Sequence, residues 1–443
     1  DMNTYALWHQ AKSEYAYAYD KNTLHILLRT AKNDIDTVTL IYGDPFDWSH
    51  DNQQKLWHNH SLTMTKRYQS NQFDYYFIEI KPKDLRNKYA FLLEKDNQTY
   101  FYGSRLVQLL DDDIKYDLTE YFNYPYINHE DLHDTPKWVE DTIWYQIFLD
   151  RYHAHHKNSN LKWGSLPVKN HELYGGDLLG VIDQLDDLKA LGITGIYFTP
   201  IFKSPSAHKY DTTDYFTIDP QFGTNDDFKQ LVKEAHKRHI KVMLDGVFNH
   251  AGFFHPYFQD VIKHGEKSIY KDCFYIDQFP VVNFELDQNQ HPIKHSIRTL
   301  NYKTFAYTSY MPKWNTSNPL SKEHLLSVIK YWIKEYDIDG WRLDVSNEMS
   351  HDFLRDIKKA SREAKKDTFI LGENWDSSIA WLKGDQLDSV MNYDLSYPLW
   401  KYLEHKIDLN TFKSQITQYL AQTPKNVIKN MFNLIGSHDT IRI

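Results

Sequence analysis

From about residue 139 the chain alternates short apolar runs with amphipathic stretches, and this rhythm limits the fold more than any other feature. "TIWYQIFL" (142–149) reads as a strand. "GGDLLGVIDQLDDLKALG" then places Leu178, Ile182, Leu185, Leu188 and Leu191 near helical spacing and ends on Gly192. Strand "ITGIYFTP" is followed by "TNDDFKQLVKEAHKRH", with Thr224 as N-cap, Asp227 three residues on, and Phe228, Leu231, Val232 and Ala235 on one face. Strand "IKVMLDGV", helix "SKEHLLSVIKYWIKEY", strand "DGWRLDV", helix "DFLRDIKKASREAKK" and strand "TFILGEN" continue the series. "LDSVMNYD", a helix over 410–421 and "KNMFNLIGSHD" extend it. Apolar strands alternating with helices predict a mostly parallel sheet, open or closed.

The segment "GWRLDVSNE" (340–348) decides for closure. Trp341, Leu343 and Val345 alternate with Arg342, Asp344 and Ser346, so one strand face is apolar and the other carries a charged pair. Both faces of a doubly wound sheet meet helices and should be apolar. In a barrel the second face lines the interior, where polar groups near the C-terminal rim are tolerated. Three further strand ends are polar: "LDGVFNH" (244–250), "LGENWD" (371–376) and "IGSHDT" (435–440). Asp344 and Glu373 lie 29 residues apart, close to one barrel unit of about 31. Glu373 to Asp439 is 66 residues, about two units, whereas Asp245 to Asp344 is 99 and requires an insertion after the third strand, placed at about 251–300.

Residues 1–125 read differently. "LHILLRT", "TVTLIYG", "YYFIEI" and "KYAFLLEK" are strand-like runs bounded by turn chemistry, and a sandwich of roughly seven strands is expected, joined by a linker over 126–138.

A formal net charge of −9 argues against a nucleic-acid or anionic-membrane partner. The single cysteine, Cys273, excludes an internal disulfide and favours a reducing compartment, so a cytoplasmic location is expected. No stretch has the apolar length of a membrane span, and the start lacks signal-peptide character. Aromatic residues make up 16%, and their flat faces suit sugar rings as well as cores.

A single carboxylate at a strand end is ordinarily a helix cap or turn acceptor. Four polar strand ends at barrel-unit spacing would need that explanation four times over. Several carboxylates with a fixed arginine and imidazoles suit glycoside hydrolysis, in which one carboxylate attacks and another delivers a proton.

On the motifs "DGVFNH", "GWRLDVSNE", "GENWD" and "GSHDT", in that order, with "MPKWN" (311–315) and "HKYDTTDYFTIDPQFGT", the chain resembles the α-amylase family of glycoside hydrolases. More narrowly, it resembles the cyclomaltodextrinase, maltogenic amylase and neopullulanase group. The resemblance implies a (β/α)8 TIM barrel with an N-terminal β-sandwich and a small inserted domain after strand 3. It implies an α-glucan hydrolase acting on α-1,4 and also α-1,6 bonds in cyclodextrins, pullulan, starch and maltooligosaccharides, without a cofactor. A homodimer formed through the N-terminal domain is implied as well.

Carried over by position, Asp344 is similar to the nucleophile, Glu373 to the general acid/base and Asp439 to the carboxylate stabilising the transition state. Arg342 keeps Asp344 ionised and oriented. His250 and His438 resemble ligands of sugar hydroxyls, Tyr210 the ring beneath the sugar, and Asp245 and Asn249 residues of the rim, with His208 a further substrate-binding residue. Asn347, Glu348 and Trp375 belong to the acceptor side. Asn374 and Asp376 depart from the group's usual aliphatic residue and His. Ala154, His155 and His156 replace the oxygen ligands of a calcium loop seen in relatives, leaving Asp177, so no metal is expected there. The motifs account for seven barrel strands, and an eighth strand and a C-terminal β domain are expected to be absent from this chain. The competing readings are an α-1,6-acting oligo-glucosidase or debranching enzyme, and an inactive amylase-like binding protein.

Overall fold

The computed structural model describes residues 1–51, 54–155, 172–293 and 299–440. The N-terminal region is built from more strands than the seven expected. One antiparallel sheet runs in the order Ala16–Asp20, Thr23–Ala31, Phe73–Ile80, Thr65–Gln69. The facing sheet runs Val107–Leu109, Gln98–Tyr102, Asn87–Lys95, Thr37–Gly43, His60–Thr63, with Phe122–Tyr124 also paired to Asn87–Lys95. A hairpin of Trp48–Asp51 and Gln54–Trp57 stands apart. The strands that the sequence hides are edge strands. His60–Thr63 is exposed throughout and Thr65–Gln69 nearly so, and neither has an apolar face to register as alternation. Leu24, Ile26, Leu28, Val38, Leu40, Phe91 and Leu93 fill the space between the sheets.

The second region forms a parallel sheet whose six strands follow chain order: β1 (Trp144–Ile147), β2 (Gly195–Phe198), β3 (Lys241–Gly246), β4 (Gly340–Leu343), β5 (Phe369–Gly372) and β6 (Ser389–Val390). The expected seventh strand is reduced to one parallel bridge, Met391 to Phe432. From there the Phe432 ring reaches back to β1, 5.9 Å from the ring of Trp144.

Alternation sorts the side chains. Ile196, Phe198, Val242, Leu244, Trp341, Leu343 and Ile370 face outward to the helices, while Tyr197, Met243, Phe369 and Leu371 form a separate inner cluster. The outer layer comprises α1 (Leu178–Ala190), α2 (Asn225–Lys237), α3 (Pro319–Tyr336), α4 (His351–Ala364), α5 (Tyr393–Leu403) and α6 (Leu409–Ala421). α2 starts with the capping box foreseen at Thr224 and Asp227, and the chain leaves α1 through Gly192 at φ +93°.

Between β3 and α3 the chain makes a long excursion that carries the helix Pro256–His264 and returns through isolated bridges, His250 to Lys313 and Phe274 to Trp314. The excursion continues to Asn318, the N-cap of α3, past the 300 expected.

The sandwich packs on the end of the barrel region. Ala421 joins Tyr15, Leu27 and Tyr75 in one apolar cluster, and Gln422 reaches the hydroxyls of Tyr15 and Tyr75. Just beyond, the backbone N–H of Lys425 donates to the Tyr17 hydroxyl at 2.9 Å, and Asn426 donates to the carbonyls of Ala18 and Tyr19.

Because Thr224 satisfies an otherwise orphaned N–H of α2, Thr224→Ala should lower unfolding free energy by about 1 kcal/mol in urea titrations, with Thr224→Ser close to wild type.

Candidate active site

The register of β3 and β4 sets Arg342 opposite Asp245, both on the inner face. The guanidinium is fully buried and holds a ring of carboxylates. Nη1 donates to Asp245 Oδ1 and Oδ2 at 3.0 and 3.1 Å and to Asp344 Oδ1 at 2.9 Å. Nη2 donates to Glu373 Oε2 at 2.5 Å and stands 3.8 Å from Asp439 Oδ2. The Tyr197 ring lies 5.7 Å from the guanidinium carbon, and the Tyr197 hydroxyl donates to Asp245 at 2.6 Å. Arginine suits this place because its fixed fork serves several carboxylates at once.

The strand ends at Leu343, so Val345 does not continue the apolar face as the alternation suggested. Val345 instead adopts φ 49°, ψ 43°, a left-handed conformation costly for a β-branched residue. That turn aims its N–H at Glu373 Oε1, 3.1 Å away. Glu373 is therefore held from both sides, by Arg342 and by a strained backbone amide.

A cleft of about 1470 Å³ opens above these groups. Its lining includes His208, Tyr210, His250, Asp344, Glu373, Trp375, His438 and Asp439, so eight of the thirteen residues proposed from sequence meet there. Asp245, Asn249 and Arg342 lie beneath the floor, each about 1% exposed or less. Their link to the cleft is indirect: the Tyr210 hydroxyl donates to Asp245 at 2.8 Å, and the Asn249 amide lies 3.3 Å from His250 Nδ1. Asp245 and Asn249 are thus buried supports, not rim residues. Asn347 and Glu348 are exposed and do not line the cleft. Asn374 turns away from it, accepting a hydrogen bond from the buried Ser346 hydroxyl at 2.5 Å. Trp375 is braced by Tyr393, the rings stacked 3.9 Å apart.

Sequence reasoning passed over Gln146, Tyr145, Tyr152, Phe305 and Met311, which also line the cleft. The one signal for Gln146 was its polarity inside the apolar run "WYQIF". Lys313 of "MPKWN" was noted only as part of a motif. Its ammonium bridges Asn249 Oδ1 (2.5 Å) and the Glu348 carbonyl (3.0 Å), tying the end of β3 to the turn after β4.

Crowding controls the charges. Burial raises Asp344 well above the usual carboxylate range, with repulsion from Glu373 adding to it and Arg342 opposing it. The arginine thus orients Asp344 without winning outright. Asp439 is pushed up to about 7 by burial and by Glu373. Asp344 and Asp439 crowd the same guanidinium, so their titration belongs to the pair and not to either residue. Burial lowers His250 and His438 to about 3, leaving both neutral.

Asp177 is the N-cap of α1, accepting from the Gly180 N–H at 2.8 Å and the His155 N–H at 3.0 Å. His156 lies outside the described residues. Among the described residues no three His, Cys, Asp or Glu side chains come together in a metal-ligating group.

The family described as "Alpha amylase, catalytic domain" matches residues 146–443, and "Alpha amylase, N-terminal ig-like domain" matches residues 2–128. The chain belongs to the α-amylase family of glycoside hydrolases. It is 44% identical to the maltogenic α-amylase of Bacillus acidopullulyticus, over 99% of this chain and 72% of that protein. It is 43% identical to the cyclomaltodextrinase of Geobacillus thermopakistaniensis, over 100% and 73%. A solved cyclomaltodextrinase structure superposes with a TM-score of 0.89 at 40% identity, covering 99% of this chain and 72% of that one. The intracellular maltogenic amylase of Bacillus subtilis is 40% identical over 100% and 73%. Among the described residues no helix is long and apolar enough to cross a membrane.

Asp439 should make stability depend on pH. Its folded pKa of about 7 exceeds its ordinary 3.8, so the folded state binds the proton more tightly and loses that advantage as pH rises from about 4 to 7. Asp439→Asn removes the effect: melting temperatures of variant and wild type should diverge in the variant's favour across that window and converge below about pH 4.

Proposed function

We propose that this chain is a retaining α-glucan hydrolase that cleaves α-1,4 bonds, and α-1,6 bonds in addition, in cyclodextrins, pullulan, starch and maltooligosaccharides, with transfer to sugar acceptors alongside hydrolysis. The observation that supports this best is the convergence of Asp344, Glu373 and Asp439 on one buried guanidinium at the floor of an aromatic-lined cleft. Names of relatives point the same way, a cyclomaltodextrinase and a neopullulanase among them.

In this reading Asp344 attacks the anomeric carbon while Glu373 protonates the departing glycosidic oxygen. A covalent glycosyl-enzyme forms, and Glu373 then takes a proton from the water that releases the sugar. Asp439 stabilises the oxocarbenium-like charge between the two. Two carboxyls sharing one guanidinium favour the short separation of a retaining pair over the wider gap that admits a water. Tyr210, His208, His250 and His438 receive the reacting sugar, and Trp375 the acceptor side.

Asp344→Asn should lower kcat on the order of a thousandfold or more while substrate still binds, and the sugar first released by the wild type should be the α anomer by NMR. A β product, or an Asp344→Asn variant near wild-type rate, would overturn the reading. A panel of cyclodextrin, pullulan, starch and panose with product analysis sets the bond preference.

The N-terminal sandwich forms, in the same reading, a homodimer contact that narrows a partner's cleft against bulky polymer. The exposed Phe46, 76% accessible with Arg86 over its ring, supports this. Phe46→Asp should shift the mass seen by light scattering toward monomer and lower cyclodextrin activity relative to starch. Unchanged mass and ratio would show the sandwich to be unconnected with assembly.

A further inference from the structure

We infer that Gln146 is a positioning residue that fixes His438 in the tautomer with its proton on Nε2, facing the cleft. This rests on the functional reading above for the use made of His438, but the tautomer itself follows from hydrogen-bond direction alone. Asp245 is surrounded by donors: Arg342 Nη1 at 3.0 and 3.1 Å, the Tyr197 hydroxyl at 2.6 Å and the Tyr210 hydroxyl at 2.8 Å. With Asp245 ionised, the Tyr210 proton is committed to it. His438 Nε2 lies 2.6 Å from the same Tyr210 oxygen, which has only lone pairs left to offer, so Nε2 must carry the proton and donate.

A neutral imidazole has one proton, which leaves Nδ1 as an acceptor. Gln146 Nε2 stands 2.6 Å from Nδ1 and supplies the N–H it needs. The glutamine comes from the inner face of β1, in register with Tyr197 on β2. A directed chain results: Gln146 to His438, His438 to Tyr210, Tyr210 to Asp245, with Arg342 at its end.

The direction matters because Nε2 also lies 3.2 Å from Asp439 Oδ2. With the proton on Nε2 the ring turns an N–H, not a lone pair, toward the Tyr210 oxygen and the side on which Asp439 stands. The other tautomer would turn a lone pair on both. The charged and titratable groups around the ring are Asp439, Arg342, Tyr210 and His208. Burial, Arg342 and His208 keep the ring neutral, which is why a tautomer, and not a charge, has to be selected.

A glutamate at this position offers only acceptors. It would draw the proton to Nδ1 in the neutral ring, or hold an imidazolium by raising the His438 pKa. The correct Nε2–H then survives only while the ring is charged and is lost as pH rises through the raised value.

The test uses the full chain with His438 followed by nitrogen NMR of its imidazole, alongside pH profiles of kcat/KM for Gln146→Leu and Gln146→Glu. The wild type should show Nε2 protonated and Nδ1 bare. Gln146→Leu should lose about tenfold in kcat/KM at all pH, mostly in kcat, with the tautomer signals mixed. Gln146→Glu should gain an alkaline limb that wild type lacks, with activity recovering toward acid pH. Gln146→Asn with a wild-type melting temperature controls for packing. A wild-type Nδ1–H overturns the inference whatever the activity. A bare Nδ1 with Gln146→Leu and Gln146→Glu both unchanged in rate and profile overturns the positioning role. Failure of the hydrolytic reading appears separately, as an Asp344→Asn variant that keeps its rate.

Discussion

A single buried guanidinium organises this molecule's chemistry. Arg342 is enclosed on all sides, and a charge so placed is tolerable only if it is paired and hydrogen-bonded. Its partners come from the ends of different strands: Asp245 from β3, Glu373 after β5, and Asp344 from its own chain two residues on. Burial in turn raises the Asp245, Asp344 and Asp439 carboxyls above their ordinary range. The cation therefore lets several acids occupy one small volume, and the acids make the cation's burial bearable. Remove the arginine and the remaining groups have no common anchor.

Much of this was legible because barrels translate sequence period into geometry. The unit spacing between Asp344 and Glu373 foretold neighbouring strands, and alternation in "GWRLD" put Arg342 on the inner face with Asp344. Capping chemistry at Thr224 and the turn at Gly192 could be read locally, since each depends on residues within one helical turn. The strands that escaped notice, His60–Thr63 and Thr65–Gln69, have polar sequences because they lie at sheet edges, where no second layer demands an apolar face.

Other parts were hidden for reasons of distance. Whether Asp245 stands at a rim or under a floor depends on Tyr197 and Tyr210, 48 and 35 residues away, closing over it. The left-handed turn at Val345 contradicts local preference, as expected where tertiary contacts impose a conformation that propensity would reject. Gln146 looked like an incidental polar residue in a buried strand. Only the placement of His438, 292 positions along, gives its amide a purpose.

The docking of the sandwich on the segment that follows α6 has a mechanical side. Residues 425–426 are hydrogen-bonded to Tyr17, Ala18 and Tyr19 of the N-terminal domain, and Lys429 sits 4.8 Å from the Tyr19 ring. From that anchorage the chain runs through Phe432, bridged to Met391 and bonded to Ser389, and past Leu434 and Ile435, whose carbonyls accept from Ser396 and Trp400 of α5, to His438 and Asp439. The loop bearing two of the site's polar groups is thus a span supported at one end by the other domain. Loosening the sandwich would remove that support and leave the ties to α5, so the span would slacken on its Lys425 side while the strands bearing Asp344 and Glu373 stayed paired.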